Sequence, residues 1–249
     1  MSALKPMKMM FTCIVFLSFC QAALATPIST SDVITNWTSD GSPVDGVVLG
    51  NWTTSSGNIV GTNNHAGSLT SDVSANSDFS FSVNSLARDN DTFGLVWGFQ
   101  DLANHYRFSW AQDWGENGTG GAAHGSGGFK VIKEVGGISN LLFSSNTQYV
   151  QNQTYDLRVA GTVAGFTVQV ENLSTSTLIF NESITDTTFA SGSVGIHELY
   201  QENGGNVWSN FDLDTSTSVP EPSMVAIFAS GMLLIGIRRR MSKPVPSVG

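Results

Sequence analysis

The sequence predicts an all-β protein, an antiparallel jelly roll or β-sandwich, and three observations carry that expectation. Between residues 26 and 216, apolar residues recur with period two or in short unbroken runs, each bounded by clusters of Gly, Asn, Asp, Ser and Thr. No stretch there sustains the 3.6-residue period of an amphipathic helix. Both cysteines, Cys13 and Cys20, lie upstream of this region, so neither disulfides nor thiol chemistry supports it and stability rests on a packed core.

Residues 1–25 read as a secretory signal. Lys5 and Lys8 supply a positive n-region, residues 9–20 an apolar h-region, and Ala23-Leu24-Ala25 a small-x-small cleavage site before Thr26. The apolar run is short for a membrane span, which favours cleavage over an uncleaved anchor. Leu17-Ser18-Phe19-Cys20 has the outline of a lipobox, but the bulky Phe19 argues against processing there. Residues 26–77 are placed as flanking strands of the sandwich that follows, with Asn36-Trp37-Thr38 and Asn51-Trp52-Thr53 marking two similar strand ends.

From residue 78 onward the pattern is clearer. Residues 78–83 alternate, which sets Phe79, Phe81 and Val83 on one face. Residues 93–99 are apolar on both faces and suit a central strand; residues 105–110 follow after a turn around Asp101–Asn104. Further strands are expected at 129–135, 140–144, 155–160, 165–171, 177–181, 192–197 and 207–213.

The C-terminal segment has a different order. Val219-Pro220-Glu221-Pro222-Ser223 leads into an apolar run, residues 224–237, and then Arg238-Arg239-Arg240. A helix of that length reaches about 21 Å, short for a hydrocarbon core of roughly 30 Å unless the arginines snorkel. The triple arginine holds this end in the cytoplasm and leaves everything before it outside, in agreement with the signal. The expected organisation is therefore a signal at 1–25, a β-sandwich at 26–216, a linker at 217–223, and an apolar sorting helix with a basic cytoplasmic tail at 224–249.

This Pro-Glu-Pro, apolar helix and basic cluster resembles the PEP-CTERM sorting signal of Gram-negative bacteria. The resemblance implies export through the inner membrane by the secretion machinery, with transient retention there by the C-terminal helix. It further implies exosortase processing near Pro220-Glu221-Pro222, a stop at Arg238, Arg239 and Arg240, and a destination at the cell surface or in an exopolysaccharide or biofilm matrix.

Charge narrows the partners. The region between the two terminal segments holds five basic against nineteen acidic side chains, a net charge of −14. Such a surface repels nucleic acid and anionic headgroups and favours divalent cations or neutral ligands.

A second resemblance covers residues 78–214. The run Ser85-Leu86-Ala87-Arg88-Asp89-Asn90-Asp91-Thr92-Phe93-Gly94-Leu95-Val96-Trp97-Gly98-Phe99-Gln100, then His105-Tyr106-Arg107-Phe108-Ser109-Trp110, is similar to the lectin-like C-terminal domain of thrombospondins. Tyr155-Asp156-Leu157-Arg158-Val159, Gly165-Phe166-Thr167-Val168, Gly192-Ser193-Val194-Gly195-Ile196 and Trp208-Ser209-Asn210-Phe211-Asp212 fit in order. The resemblance implies a concanavalin A-like jelly roll, calcium and an adhesive role. The calcium-rich repeats that precede the thrombospondin domain are missing from this sequence.

Two regions are candidates for chemistry. Asp89, Asn90 and Asp91, with Asp101 soon after, offer hard oxygen ligands for Ca2+ between two strands, or else an Asx-type turn closed on its own backbone. Asp89 and Asp91 match the acidic cluster that the resemblance implies. The Gly-rich loop from 111 to 128, with Trp110 at its entry, carries Asp113, Trp114, Glu116, Asn117 and His124. Aromatic faces with carboxylates and amides suit a sugar ring; the alternative is an insertion whose tryptophans anchor it to the core. No Glu-x-Asp-x-x-Glu run, nucleophilic triad or histidine metal motif stands out; Glu198 and Glu202 are four apart, a spacing that would share a face on a strand, but Glu202 falls in the Gly-rich turn. The expected function is a non-catalytic lectin-like domain that adheres to polysaccharide or surface proteins. A glycan-processing enzyme and a purely structural matrix protein are the alternatives.

Overall fold

Alternation gives each strand one dry face, and two antiparallel sheets stack by those faces. The computed structural model describes residues 26–41, 51–61, 67–115, 125–201 and 205–215. Strands are numbered in chain order. One sheet runs β13 (Thr177–Ile184), β12 (Gly165–Asn172), β11 (Thr154–Thr162), β6 (Phe79–Leu86), β15 (Val207–Asp214), β4 (Asn58–Gly61) and β3 (Trp52–Ser55), with β1 (Thr26–Ile28) also on β15. The other runs β10 (Ile138–Ser145), β9 (Gly125–Val135), β8 (Asn104–Gly115), β7 (Thr92–Asp101), β14 (Gly192–Leu199), β5 (Gly67–Ala75) and β2 (Thr38–Gly41). We refer to them as the eight-stranded and seven-stranded sheets.

Every strand expected from residue 78 onward forms, with ends extended by a few residues. The described strands before residue 78 flank the same sandwich on both layers, and the two Asn-Trp-Thr sequences fall at the starts of β2 and β3. One element departs from the all-β expectation: a helix, α1, at Thr30–Asn36. Ser29 caps it by accepting from the Asp32 N–H at 3.2 Å, and Val33 is its buried residue. Two turns are too few to show a 3.6-residue period, so the helix is not visible in a segment expected to hold only flanking strands.

The core is aromatic. Phe81, Val83, Leu157, Val159, Val168 and Val170 of the eight-stranded sheet face Phe93, Leu95, Trp97, Phe108, Trp110 and Val131 of the other. Trp110 stacks on Phe129 at 4.4 Å and 13°, and Phe129 on Phe180 at 4.6 Å and 21°. Strand β7 runs between β14 and β8 with its first seven residues buried, so its two apolar faces follow from its central place. Its ladder shifts register after Trp97, where Gly98 takes a φ of +56° and lies so close to Phe189 that a Cβ would come within 2.9 Å.

Candidate functional site

The metal candidates separate into two places. Asp89, Asn90 and Asp91 precede β7, and Asp101 ends it, ten strand residues later. At about 3.3 Å per residue that is roughly 30 Å, so Asp101 cannot share an ion with the other three. Asp101 instead closes the β7–β8 hairpin: its Oδ1 accepts from the Ala103 N–H at 2.8 Å and from Asn104 Nδ2 at 2.9 Å. This is the Asx geometry, and it corrects the four-residue calcium set. Among the described residues no group of three or more His, Cys, Asp or Glu side chains converges as a metal site.

The Asp89–Asp91 turn is held from within. The buried hydroxyl of Tyr149 donates to the carbonyls of Asp89 (2.7 Å) and Asp91 (2.6 Å). Asp89 Oδ1 accepts from the Asn90 N–H at 2.9 Å. Burial, and then the charges of Asp91 and Asp89, push the Tyr149 hydroxyl well above the ordinary tyrosine range, so it stays a donor.

The second candidate region meets this turn. The carbonyl of Asn90 accepts from the N–H groups of Gln112 (3.0 Å) and Asp113 (3.1 Å), and Asn90 Nδ2 donates to Asp113 Oδ2 at 2.9 Å. Asn90 and the exposed Asp113 therefore form one polar surface at the end of the sandwich, where β8 leads towards the Gly-rich loop. Trp110 does not belong to it. Its side chain is fully buried, stacked on Phe129, and donates from Nε1 to the Thr147 carbonyl at 2.9 Å. A strand's period of two points Trp110 into the core, which corrects its assignment to ligand binding. Trp114 is placed on β8 by its backbone, while Glu116, Asn117 and His124 lie outside the described residues. So do Ala23, Ala25, Pro220, Glu221, Pro222, Arg238, Arg239 and Arg240.

Two features were not foreseen. The outer face of the seven-stranded sheet carries buried charge: Arg107 Nη1 donates to Glu134 Oε2 at 2.9 Å, and Ser139 Oγ donates to the same oxygen at 2.6 Å. His105 accepts from Arg107 through Nε2 at 3.4 Å and donates from Nδ1 to the Asp101 carbonyl at 3.3 Å. Period-two spacing of His105, Arg107 and Ser109 was the available signal.

The other feature is Glu198. It faces the interior, where Trp208 Nε1 donates to its Oε1 at 2.6 Å, and a Cβ on Gly61 would fall 1.7 Å from its Oε2. Complete burial pushes its carboxyl up to about 8 against the opposing bonds from Trp208 and the Asn206 N–H, and the nearby Asp89 charge adds to the rise. Glu202, its sequence neighbour in the carboxylate pair, lies outside the described residues.

Among the described residues, no helix is long and apolar enough to cross a membrane, and the apolar run at 224–237 falls outside them. Residues 218–240 match the PEP-CTERM protein-sorting motif, which marks the chain for export and sorting to the cell envelope. No curated protein matches the sequence. Solved structures do match its fold. The carbohydrate-binding module CBM66 from Bacillus subtilis is 17% identical, covers 72% of this chain and 96% of its own, and has a TM-score of 0.52. The exoplasmic/lumenal domain of VIP36, in its Ca2+/Man3GlcNAc-bound form, is 10% identical over 79% of this chain and 90% of its own, with a TM-score of 0.56. Peanut lectin is 11% identical over 78% and 99%, with a TM-score of 0.52. The chain is an all-β sandwich of lectin-like fold that carries a PEP-CTERM protein-sorting motif at residues 218–240.

Proposed function

We propose that this protein is an exosortase-processed component of the cell surface or biofilm matrix, and that its sandwich is a non-catalytic, glycan-binding adhesion domain. The observation that carries the reading is the joined surface of Asn90 and Asp113 at the mouth of the β8–β9 loop. A carboxylate and an amide held side by side offer acceptors and a donor to sugar hydroxyls, and loops on a rigid sheet are where such residues collect. The solved relatives include a carbohydrate-binding module, a lectin and a Man3GlcNAc-bound domain, which favours glycan over other ligands. Surface proteins of the matrix are further partners in this reading.

Calcium is not given a site. VIP36 carries it, but the four oxygen donors predicted here are split between the two ends of β7. The C-terminal run at 224–237 would hold the precursor in the inner membrane until the exosortase acts at Pro220-Glu221-Pro222.

A glycan array with the purified chain, in calcium and then in EDTA, tests the reading. Saturable binding that is weakened by Asp113→Ala and retained in EDTA is the expected result. Binding lost in EDTA would bring calcium back, and turnover of a bound glycan would make the domain an enzyme. Failure to bind in both conditions would leave a structural matrix role.

A further inference from the structure

The outer face of the eight-stranded sheet holds a cavity of about 450 Å3, within the roughly 300–1,000 Å3 typical of small-molecule sites. Three neighbouring strands build it in two rows. Asp212 on β15, Ser82 on β6 and Arg158 on β11 stand in one register; Asn84 on β6 and Asp156 on β11 stand in the next. Between the rows, β15 bulges: Asn210 and Phe211 have no partner on β6, and Asn210 adopts a φ of +53°. A non-glycine residue in the left-handed region at a bulge is a costly local choice that re-aims side chains, and such bulges gather at functional sites. Leu173, half-exposed, supplies an apolar rim.

The polar groups are prepared rather than satisfied. Arg158 Nε donates to Asp156 Oδ2 at 2.6 Å and its Nη2 lies 2.5 Å from the same oxygen, which fixes the buried carboxylate and leaves part of the guanidinium directed outward. Burial raises the Asp156 carboxyl despite that arginine, and Glu171 beside it adds to the rise. On the opposite side, Asp212 Oδ1 is buried with no hydrogen-bond partner. A buried carboxylate oxygen without a donor is an open demand for an O–H or N–H.

We propose that this pocket is a second glycan subsite that takes a neutral sugar residue through a pair of adjacent hydroxyls. Asp212 accepts from one hydroxyl, the amides of Asn84 and Asn210 and the free guanidinium edge of Arg158 serve the other, and the apolar side of the ring lies on Leu173. Charge selects the class. One guanidinium stands against the carboxylates of Asp156, Asp212 and Glu171, so the pocket is net negative and repels uronic acids and phosphorylated sugars. The inference rests on the glycan-binding reading above but on different residues, at a face of the sandwich rather than at its loop end.

The test is saturation-transfer NMR on the full chain in a sugar-free detergent, with methyl glycosides of glucose, galactose and mannose and with methyl glucuronide. At least one neutral glycoside is expected to bind, and methyl glucuronide is expected to bind roughly tenfold more weakly or not at all. Asp212→Ala should weaken the neutral ligand by roughly tenfold or more, the scale of one charge-assisted hydrogen bond. Leu173→Arg, at an exposed rim position that leaves the sheet intact, should also abolish binding, while Asp113→Ala should not. Unchanged affinity in both Asp212→Ala and Leu173→Arg would overturn the pocket and leave the loop-end reading standing. Equal affinity for methyl glucuronide would overturn the proposed chemistry. If the wild-type chain bound no glycoside here and nothing on the glycan array, both the subsite and the glycan-binding reading would fall.

Discussion

Replacing Glu198 by Gln removes the most perturbed carboxyl among the described residues without changing its shape. The sign follows from which state holds the proton more tightly. In the folded protein the carboxyl is pushed up to about 8, against 4.5 for an ordinary glutamate. The folded state thus keeps the proton over a range in which the unfolded chain has lost it. Its stabilising share is complete below about pH 4.5 and drains away as the pH rises through about 8. That difference between the folded and unfolded states corresponds to roughly 5 kcal/mol, a large fraction of the 5–15 kcal/mol that holds a typical domain. The amide imitates the protonated acid, so the variant should match the wild type near pH 5 and exceed it by several kcal/mol at pH 9. Urea unfolding of both proteins at half-unit steps from pH 5 to 9 measures this, because other titrating groups cancel in the difference. Asp186 does not intrude: burial would raise it, but Lys133, Tyr106 and Thr188 hold it well below the usual carboxylate range. A difference between the two proteins that stays constant from pH 5 to 9 would refute the reasoning.

Three other outcomes follow from buried partners. Arg107→Ala leaves the buried Glu134 carboxylate without its ion-pair partner and should cost about 3–5 kcal/mol in urea unfolding, whereas the double change Arg107→Met with Glu134→Leu should recover most of that loss. Tyr149→Phe deprives two buried carbonyls of their donor; about 1–3 kcal/mol should be lost, with faster amide exchange concentrated at residues 89–91. Trp110→Ala should cost about 3–5 kcal/mol as a core cavity, yet leave glycan affinity of the folded protein unchanged, since the indole is sealed between the sheets.

The strands were legible because their signal is local. Period two in residues 78–83 and the doubly apolar run at 93–99 state directly which faces are dry, and the sandwich supplies those faces with partners. The first 50 residues of the domain were harder, since β1, β2, β3 and β4 are only three or four residues long and α1 makes two turns. The sorting motif was legible for another reason: three compositionally distinct segments in a fixed order do not depend on tertiary contacts at all.

The sites were less legible because they are made by register across strands. Asp156, Asn84, Ser82 and Asp212 come from three strands that are far apart in sequence, and nothing local announces that they will line one cavity. In the sequence Glu198 stands out only by its spacing from Glu202; the pairing of β14 with β7 and the approach of Gly61 reveal that it points inward. Asp101 is different, because the sequence already contained its correction. Residues 93–99 were read as a strand, and any strand of that length separates its flanking acids by more than 20 Å, several times the reach of one ion's coordination sphere. Acidic residues at opposite ends of a predicted strand therefore belong to opposite ends of the sandwich. A site read from sequence has to be assembled from one end of each strand, as the polar surface of Asn90 and Asp113 is here, and not from neighbours along the chain.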